Sequence, residues 1–122
     1  MRDPLAGEQP TVLSASTIIG DKVVNTQGEN LGKIEEIMLD AQDDRIAYAV
    51  LSFGGFLGVG EKLFAVPWNA LELEAENKRF VLDQSKEKLE NAPGFDKNNW
   101  PNFADRSFGS EIYDYYGTSR YW

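Results

Sequence analysis

The chain has no cysteine and no histidine among its 122 residues. Without cysteine there can be no disulfide, thiolate metal site or cysteine nucleophile, so packing alone must stabilise the fold. Without histidine the chain lacks the commonest general base and the commonest ligand of transition metals. We therefore expect a protein that is not an enzyme and has no catalytic residue, metal or cofactor, although chemistry by carboxylates alone stays open.

Long apolar runs are also missing. The longest, residues 47–60, is too short to cross a bilayer and is interrupted by Ser52 and Gly54. The N-terminal segment MRDPLAGEQP includes no apolar stretch of the kind that makes a secretion signal. We expect a cytoplasmic protein that does not insert into a membrane.

Basic side chains are few, with 12 lysines and arginines against 20 acidic residues and a net charge of -8. A chain with this charge is repelled by nucleic-acid backbones and by anionic lipid surfaces. Hydrophobic residues make up 42% of the chain, which is an ordinary value for a globular protein. The composition therefore predicts one folded domain that binds no nucleic acid, and it favours a protein as the partner.

Three segments differ in composition. Residues 1–17 form a loose lead-in, and residues 18–83 are mostly strand formers separated by closely spaced turn signals. Residues 84–122 form a C-terminal extension that we expect to pack on the preceding domain or on a partner. Since short strands this close together pair as antiparallel neighbours, the predicted fold is mainly β: a small antiparallel β-barrel of about five or six strands with a short helical, aromatic-rich extension.

Apolar positions in one strand predict an irregularity. Ile34, Ile37 and Leu39 cannot face the same side under strict alternation. A β-bulge at Glu35 or Glu36 would place all three in the core, and it would bend the strand as closure of a barrel requires.

Two other features constrain the sheet. Residues 46–53 are apolar on both faces, so some other part of the protein must cover the second face. Pro67 cannot donate a backbone hydrogen bond, which predicts that its strand ends or bends at a sheet edge.

Residues 53–64, FGGFLGVGEKLF, contain four glycines followed by a lysine, which raises the possibility of a phosphate-binding loop. A P-loop requires Gly-Lys followed by a hydroxyl residue, but Glu61 precedes Lys62 and Leu63 follows it. The dinucleotide-binding fingerprint fails too, because a strand is predicted where it needs a helix. We predict a hairpin that binds no nucleotide and has an exposed apolar tip as a candidate contact surface: Phe56, Leu57 and Val59.

Acidic clusters do not predict metal sites. Asp40, Asp43 and Asp44 lack the spacing and the turn glycine of a calcium loop, and a solvated hairpin turn accounts for them. The alternating glutamates of residues 72–76 predict an acidic stripe on the outer face of a strand, a weak candidate for binding a basic partner.

The extension is rich in aromatic residues, with nine of the chain's 15 in its last 28 positions. A disordered tail would not have this composition. Ser85 predicts the N-cap of a short helix that stops before Pro93, and Asp105 predicts the N-cap of a second helix that stops at Gly117.

The second predicted helix has an apolar face. Phe108, Ile112 and Tyr115 or Tyr116 recur at helical spacing, so this face must be buried on its own barrel, on a second copy or on another protein. The aromatic residues of the extension that we take as candidates for an interaction surface are Trp100, Phe103, Phe108, Tyr113, Tyr116 and Trp122.

The chain from Gly20 to Asp83 resembles the PRC-barrel domain. This small β-barrel occurs in the H subunit of the photosynthetic reaction centre, in a ribosome-maturation factor and in stand-alone bacterial and archaeal proteins. The similarity lies in Gly20 to Val23, in Gly28, in Leu31 to Ile37 and in the segment EKLFAVPWNAL. The tail segments GFDKNNWPNFAD and YYGTSRYW further resemble a stand-alone proteobacterial branch with a similar aromatic extension.

The resemblance implies a protein-docking or assembly role, since family members share no catalytic residues. The leading expectation is a non-catalytic interaction module that binds a protein partner and forms a homodimer, with peripheral association with a membrane complex also compatible with the family. The alternative is a small-ligand binder that uses an aromatic pocket between the barrel and the extension. A bound apolar or cyclic molecule in a purified sample would favour that alternative.

Overall fold

The structure is a computed structural model that describes residues 12–54 and 61–122. The predicted tip of the glycine loop, Phe56, Leu57 and Val59, lies outside the described residues. The helices and strands are, in chain order, α1 (Ala15–Ile18), β1 (Lys22–Val24), β2 (Asn30–Asp40), β3 (Arg45–Gly54), β4 (Glu61–Pro67), a 3-10 turn (Trp68–Ala70), β5 (Leu71–Glu74), a second 3-10 turn (Ala75–Asn77), β6 (Arg79–Leu82), α2 (Lys86–Glu90) and α3 (Arg106–Tyr115).

The six strands form one curved sheet, a half-barrel, in the order β4-β3-β2-β1-β6-β5. The predicted fold class, a small mainly-β barrel with a short helical extension, is confirmed. In detail the sheet is mixed, because β1 runs parallel to β6 with Val23 opposite Phe80, while the other neighbouring strands are antiparallel. This parallel pair joins the first hairpins to the last one, which lets the sheet curve around one core.

The predicted bulge in β2 is present. Ile34 pairs with Leu51 and Glu36 pairs with Val50, so Glu35 is the extra residue. Ile34 is buried as expected.

The prediction that Ile34, Ile37 and Leu39 all face the core is wrong for Leu39. The Leu39 side chain is 74% exposed, and Ile37 is half-buried. A second register shift between Met38 and Leu39 interrupts the alternation where β2 approaches the hairpin turn. The three residues therefore do not form one inward row.

The β2–β3 turn and the end of β4 match the sequence. Asp40 accepts backbone hydrogen bonds from Gln42 and Asp43 in the turn, as expected for a hairpin whose aspartates cap the backbone. Strand β4 stops at Pro67 at one end of the sheet order. Across the glycine loop, Gly54 pairs with Glu61, so a strand follows the loop as predicted.

Both faces of β3 are buried, which fulfils the prediction that its second face needs a cover. Ala49 and Leu51 lie on one face, and Tyr48 and Val50 lie on the other. Each large apolar side chain that is fully buried contributes about 1.5–3 kcal/mol, so the two faces together are a main source of stability. The largest fully buried core side chains include Leu31, Ile34, Leu51, Phe64, Leu82, Leu89, Ile112 and Tyr113.

The two extension helices begin at the predicted caps. The Ser85 side chain accepts from the backbone N–H of Lys88 at the start of α2, and the Asp105 side chain accepts from that of Ser107 at the start of α3. Helix α3 ends at Tyr115, and Gly117 has a φ of +66°, the left-handed conformation that favours glycine after a helix.

Candidate interaction surface

The extension is hydrogen-bonded to the sheet at the edge strand β4. The backbone N–H groups of Leu63 and Phe95 each donate to the other residue's carbonyl, both at 2.8 Å. This bridge covers part of an edge that would otherwise expose unpaired backbone groups. It also fixes the point at which the chain leaves α2 and crosses towards α3.

Helix α3 docks on β3 through Tyr113. The Tyr113 hydroxyl donates to the backbone carbonyl of Ala47 at 2.7 Å, and the side chain is fully buried. Ala47 is the residue skipped by the second register shift in the β2–β3 pairing, so its carbonyl lies at an irregularity of the ladder. A buried phenol needs such a partner, because an unpaired buried hydroxyl is costly.

The ring of Tyr48 is the hub of a network of aromatic contacts. Its centroid lies 5.5 Å from that of Phe103, 6.0 Å from that of Phe108 and 5.7 Å from that of Tyr113. Tilted and edge-to-face contacts at these separations are the favourable geometry for aromatic pairs. The Tyr48 face of β3 is therefore covered by the chain's own extension.

A glycine allows this close approach. A Cβ at position 109 of α3 would lie 2.7 Å from the Tyr48 hydroxyl and 3.1 Å from the Trp122 ring. The helix can rest this close to both rings only because Gly109 has no side chain.

Two tryptophans lie at the ends of the network. The Trp100 ring lies tilted against Phe95 at 5.1 Å and against Phe103 at 6.0 Å, and the residue is 41% exposed. Trp122 meets Tyr113 edge-on at 4.9 Å and is 37% exposed. Each indole thus has one side held by the protein and another side open to solvent.

The last residues of the chain are attached to the β2–β3 turn. The Tyr121 hydroxyl donates to Asp40 at 2.5 Å, and the Arg106 guanidinium lies 3.4 Å from the same carboxylate. The hydrogen bond from Tyr121 is the main cause that lowers the pKa of Asp40. Arg106 also lies 4.9 Å from the Trp122 ring, and Arg45 lies 4.1 Å from the Tyr121 ring, so cation–π contacts fix both terminal rings.

Burial raises the pKa values of three tyrosines in this region. The pKa of Tyr48 is raised to about 12, and those of Tyr113 and Tyr116 are raised too, because burial disfavours the charged phenolate. The buried Tyr116 hydroxyl has no hydrogen-bond partner within the described part of the chain. These phenols are neutral packing groups at physiological pH rather than acids or bases.

The candidate surface residues divide into two sets. Trp100 and Trp122 are exposed at the rim, and Phe103 and Phe108 are half-buried beside them. Tyr113 and Tyr116 are buried, so they support the surface from beneath and are not part of it.

Sequence reasoning missed three contributors to this region: Phe95, Arg106 and Tyr121. Arg106 and Tyr121 meet at Asp40, which is far from both in sequence. Local patterns contain no signal for such pairings. The aromatic enrichment of the tail did indicate that its rings pack on something.

An open cleft of about 430 Å³ lies beside β1, β2 and β3, and its described lining includes a single aromatic residue, Phe53. The aromatic pocket expected between barrel and extension stays a prediction. Within residues 12–54 and 61–122 no group of three or more acidic side chains is placed to hold a metal ion. No helix in those same ranges is long and apolar enough to cross a membrane.

Comparison with known families adds one match. The model of the PRC-barrel domain matches residues 10–89, more than half of the chain. The matched segment includes all six strands and ends within α2, so α3 and its aromatic neighbours lie beyond it. No curated protein sequence matches the chain.

Proposed function

This chain belongs to the PRC-barrel domain family, and from that membership we propose that it is a non-catalytic protein-interaction module. PRC barrels are generally non-enzymatic folds. The proposal includes action in the cytoplasm, no catalytic residue, and no metal or cofactor. The family barrel supplies the scaffold, and the C-terminal extension supplies the docking surface.

The observation that supports this surface is the pair of half-exposed tryptophans at the ends of a fixed aromatic network. Tryptophan, tyrosine and arginine are enriched among the residues that dominate the energy of protein interfaces. Trp100 is held by Phe95 and Phe103, so it loses little conformational entropy when a partner covers it. The Arg106 guanidinium, which is paired with Asp40 and Asp43, lies 4.9 Å from the Trp122 ring and adds a second residue type that is enriched at interfaces.

A second copy of this chain is the first partner to test. A twofold dimer needs only one self-complementary patch, and the aromatic rim provides an apolar one. The average mass from light scattering should rise with protein concentration towards twice the monomer value, and Trp100→Ala should shift that rise to higher concentration. If the protein stays monomeric at every concentration, a different protein is the partner.

Affinity capture from the source cell tests the proposal as a whole. The baits are the full chain, Trp100→Ala and Leu13→Ala, the last being a matched control because Leu13 is 46% exposed but lies outside the aromatic network. We expect a protein retained by the full chain and by Leu13→Ala but lost with Trp100→Ala. Equal recovery with all three baits would contradict the proposed surface.

A further inference from the structure

The open cleft beside β1, β2 and β3 brings three lysines together in an acidic protein. Lys22 of β1 pairs directly with Lys33 of β2, and Lys33 pairs directly with Ser52 of β3. Paired residues across neighbouring strands have their Cβ atoms about 5 Å apart on one face of the sheet. Lys86, in the first turn of α2, lines the same cleft.

The described lining of the cleft includes no aspartate or glutamate that could compensate this charge. Among residues 12–54 and 61–122 the ion pairs are made by Arg79, Arg106 and Arg120, and no lysine of the cleft takes part in one. Like charges directly opposite each other in a sheet are destabilising. Acidic residues outnumber basic ones by 20 to 12, so the lack of an acidic partner here is a local departure from the composition.

Ser52 provides a second observation. It lines the cleft, although only 4% of its surface is exposed. The hydroxyl therefore offers a donor next to the lysine pair.

We propose that this cleft binds a small organic anion, through its phosphate or carboxylate oxygens, with Lys22, Lys33 and Lys86 as the cationic contacts and Ser52 as a neutral donor. The volume of about 430 Å³ lies in the range of small-molecule sites. Phe53 supplies an apolar wall beside the cations, with its ring centroid 5.9 Å from the Lys86 ammonium. The negative charge of the whole protein disfavours a nucleic acid, whereas a small anion needs only the local positive cleft.

The glycine loop is not the source of this binding. Lys62, the lysine that follows the loop, is on β4 and does not line the cleft. Lys62→Gln is therefore the matched control for Lys33→Gln, because both substitutions change the net charge equally. The same control tests whether a nucleotide-type loop contributes.

Isothermal titration with pyrophosphate and, separately, with citrate tests the proposal at near-physiological ionic strength. We expect saturable binding of at least one probe at a single site. Lys33→Gln should weaken it about tenfold, because a hydrogen bond to a charged group is lost. Lys62→Gln should leave the affinity within about twofold, as expected for a screened surface charge. Binding of pyrophosphate alone identifies a phosphate ligand, and binding of citrate alone identifies a carboxylate.

Thermal melting supplies an independent readout. Without ligand at low ionic strength, Lys33→Gln should raise the melting temperature, since it removes the repulsion of the paired lysines. At the same probe concentration, the wild-type protein should gain more stability than Lys33→Gln does. If Lys33→Gln fails to fold, Lys86→Gln on the exposed surface of α2 replaces it in the titration and in the melting with probe.

Two results would overturn the proposal. The first is the lack of saturable binding of either probe to the wild-type protein. The second is a loss of affinity in Lys62→Gln as large as that in the cleft variant, which would show a general charge effect.

Discussion

The aromatic junction, where the extension packs on β3 around Tyr48, and the lysine cleft differ in how their charged groups are paired. At the junction, Asp40 binds both Tyr121 and Arg106. In the cleft, the lysines line an open space without an acidic neighbour in the described lining. The paired charges of the junction hold the extension on the sheet, whereas the lysines of the cleft remain available to a ligand.

The junction also has two layers with different roles. The inner layer of Tyr113 and Ile112 is fully buried, so it belongs to the core. The outer layer ends in Trp100 and Trp122, which are partly exposed. The comparison therefore predicts large effects on stability from the inner layer, and effects mainly on binding from the outer layer and from the cleft.

Deletion of residues 95–122 should cause the largest loss of stability. It removes α3, the Phe95 bridge and the cover of Tyr48, and each buried aromatic that is lost contributes about 1.5–3 kcal/mol. The total loss should be about 5 kcal/mol or more, comparable with the net stability of a small domain, so the truncated barrel should unfold or aggregate. Urea unfolding and light scattering measure both outcomes. A truncated barrel that melts with the intact chain would show that the extension is only an appendage.

Substitutions at two glycines test how closely β2 and β3 must approach each other at the cleft. A Cβ at Gly32 would lie 2.1 Å from the Ser52 carbonyl oxygen, whereas one at Gly28 would meet nothing within 4 Å, and both residues have positive φ. Gly28→Ala should cost about 1 kcal/mol from backbone strain alone. Gly32→Ala adds a clash with backbone and should cost about 3 kcal/mol or more. Equal losses of unfolding free energy in the two variants would mean that β2 and β3 separate easily at the cleft.

Removal of one hydroxyl tests the inner layer of the junction. Tyr113→Phe leaves the Ala47 carbonyl without its partner in a buried site and should cost about 1–2 kcal/mol of unfolding free energy. Tyr115→Phe is the matched control, because that hydroxyl also binds a backbone carbonyl, of Lys88, but in a partly exposed site. The control should cost about 0.5 kcal/mol. A larger loss in the control would place the main attachment of α3 at α2 rather than at β3.

The free energy of unfolding should decrease gradually at alkaline pH. The pKa of Tyr48 is raised from 10.0 to about 12 in the folded protein, so the unfolded chain releases this proton first as pH rises. The stability is therefore complete below pH 10 and declines between pH 10 and about pH 12. Tyr48→Phe should reduce the slope of melting temperature against pH in this window. An unchanged slope would mean that Tyr48 does not contribute to the pH dependence.

Local signals predicted the local structure well. The caps at Ser85 and Asp105, the bulge near Glu35 and the end of β4 at Pro67 each depend on residues close together in the chain. The aromatic composition of the tail likewise indicated packing. These features follow from hydrogen-bonding capacity and periodicity, which a single sequence displays.

Long-range register could not be predicted in the same way. The parallel pairing of β1 with β6 joins residues more than fifty positions apart, and no nearby turn fixes it. The register shift that leaves Leu39 exposed also has no local signature. Leu39 is apolar, so the sequence pattern alone places it in the core. The lysine cleft likewise depends on strand pairing, since Lys22, Lys33 and Ser52 become neighbours only when β1, β2 and β3 align.

The central claim, that the partly exposed aromatic rim contacts a protein, is tested most directly by photo-crosslinking in the source cell. A benzoylphenylalanine residue would replace Trp100 in one sample and Leu13 in the other, two sites of similar exposure. We expect a discrete protein adduct at position 100 and none at position 13, and an adduct of twice the chain's mass would identify a second copy. No adduct at position 100, or the same adducts at both positions, would contradict it.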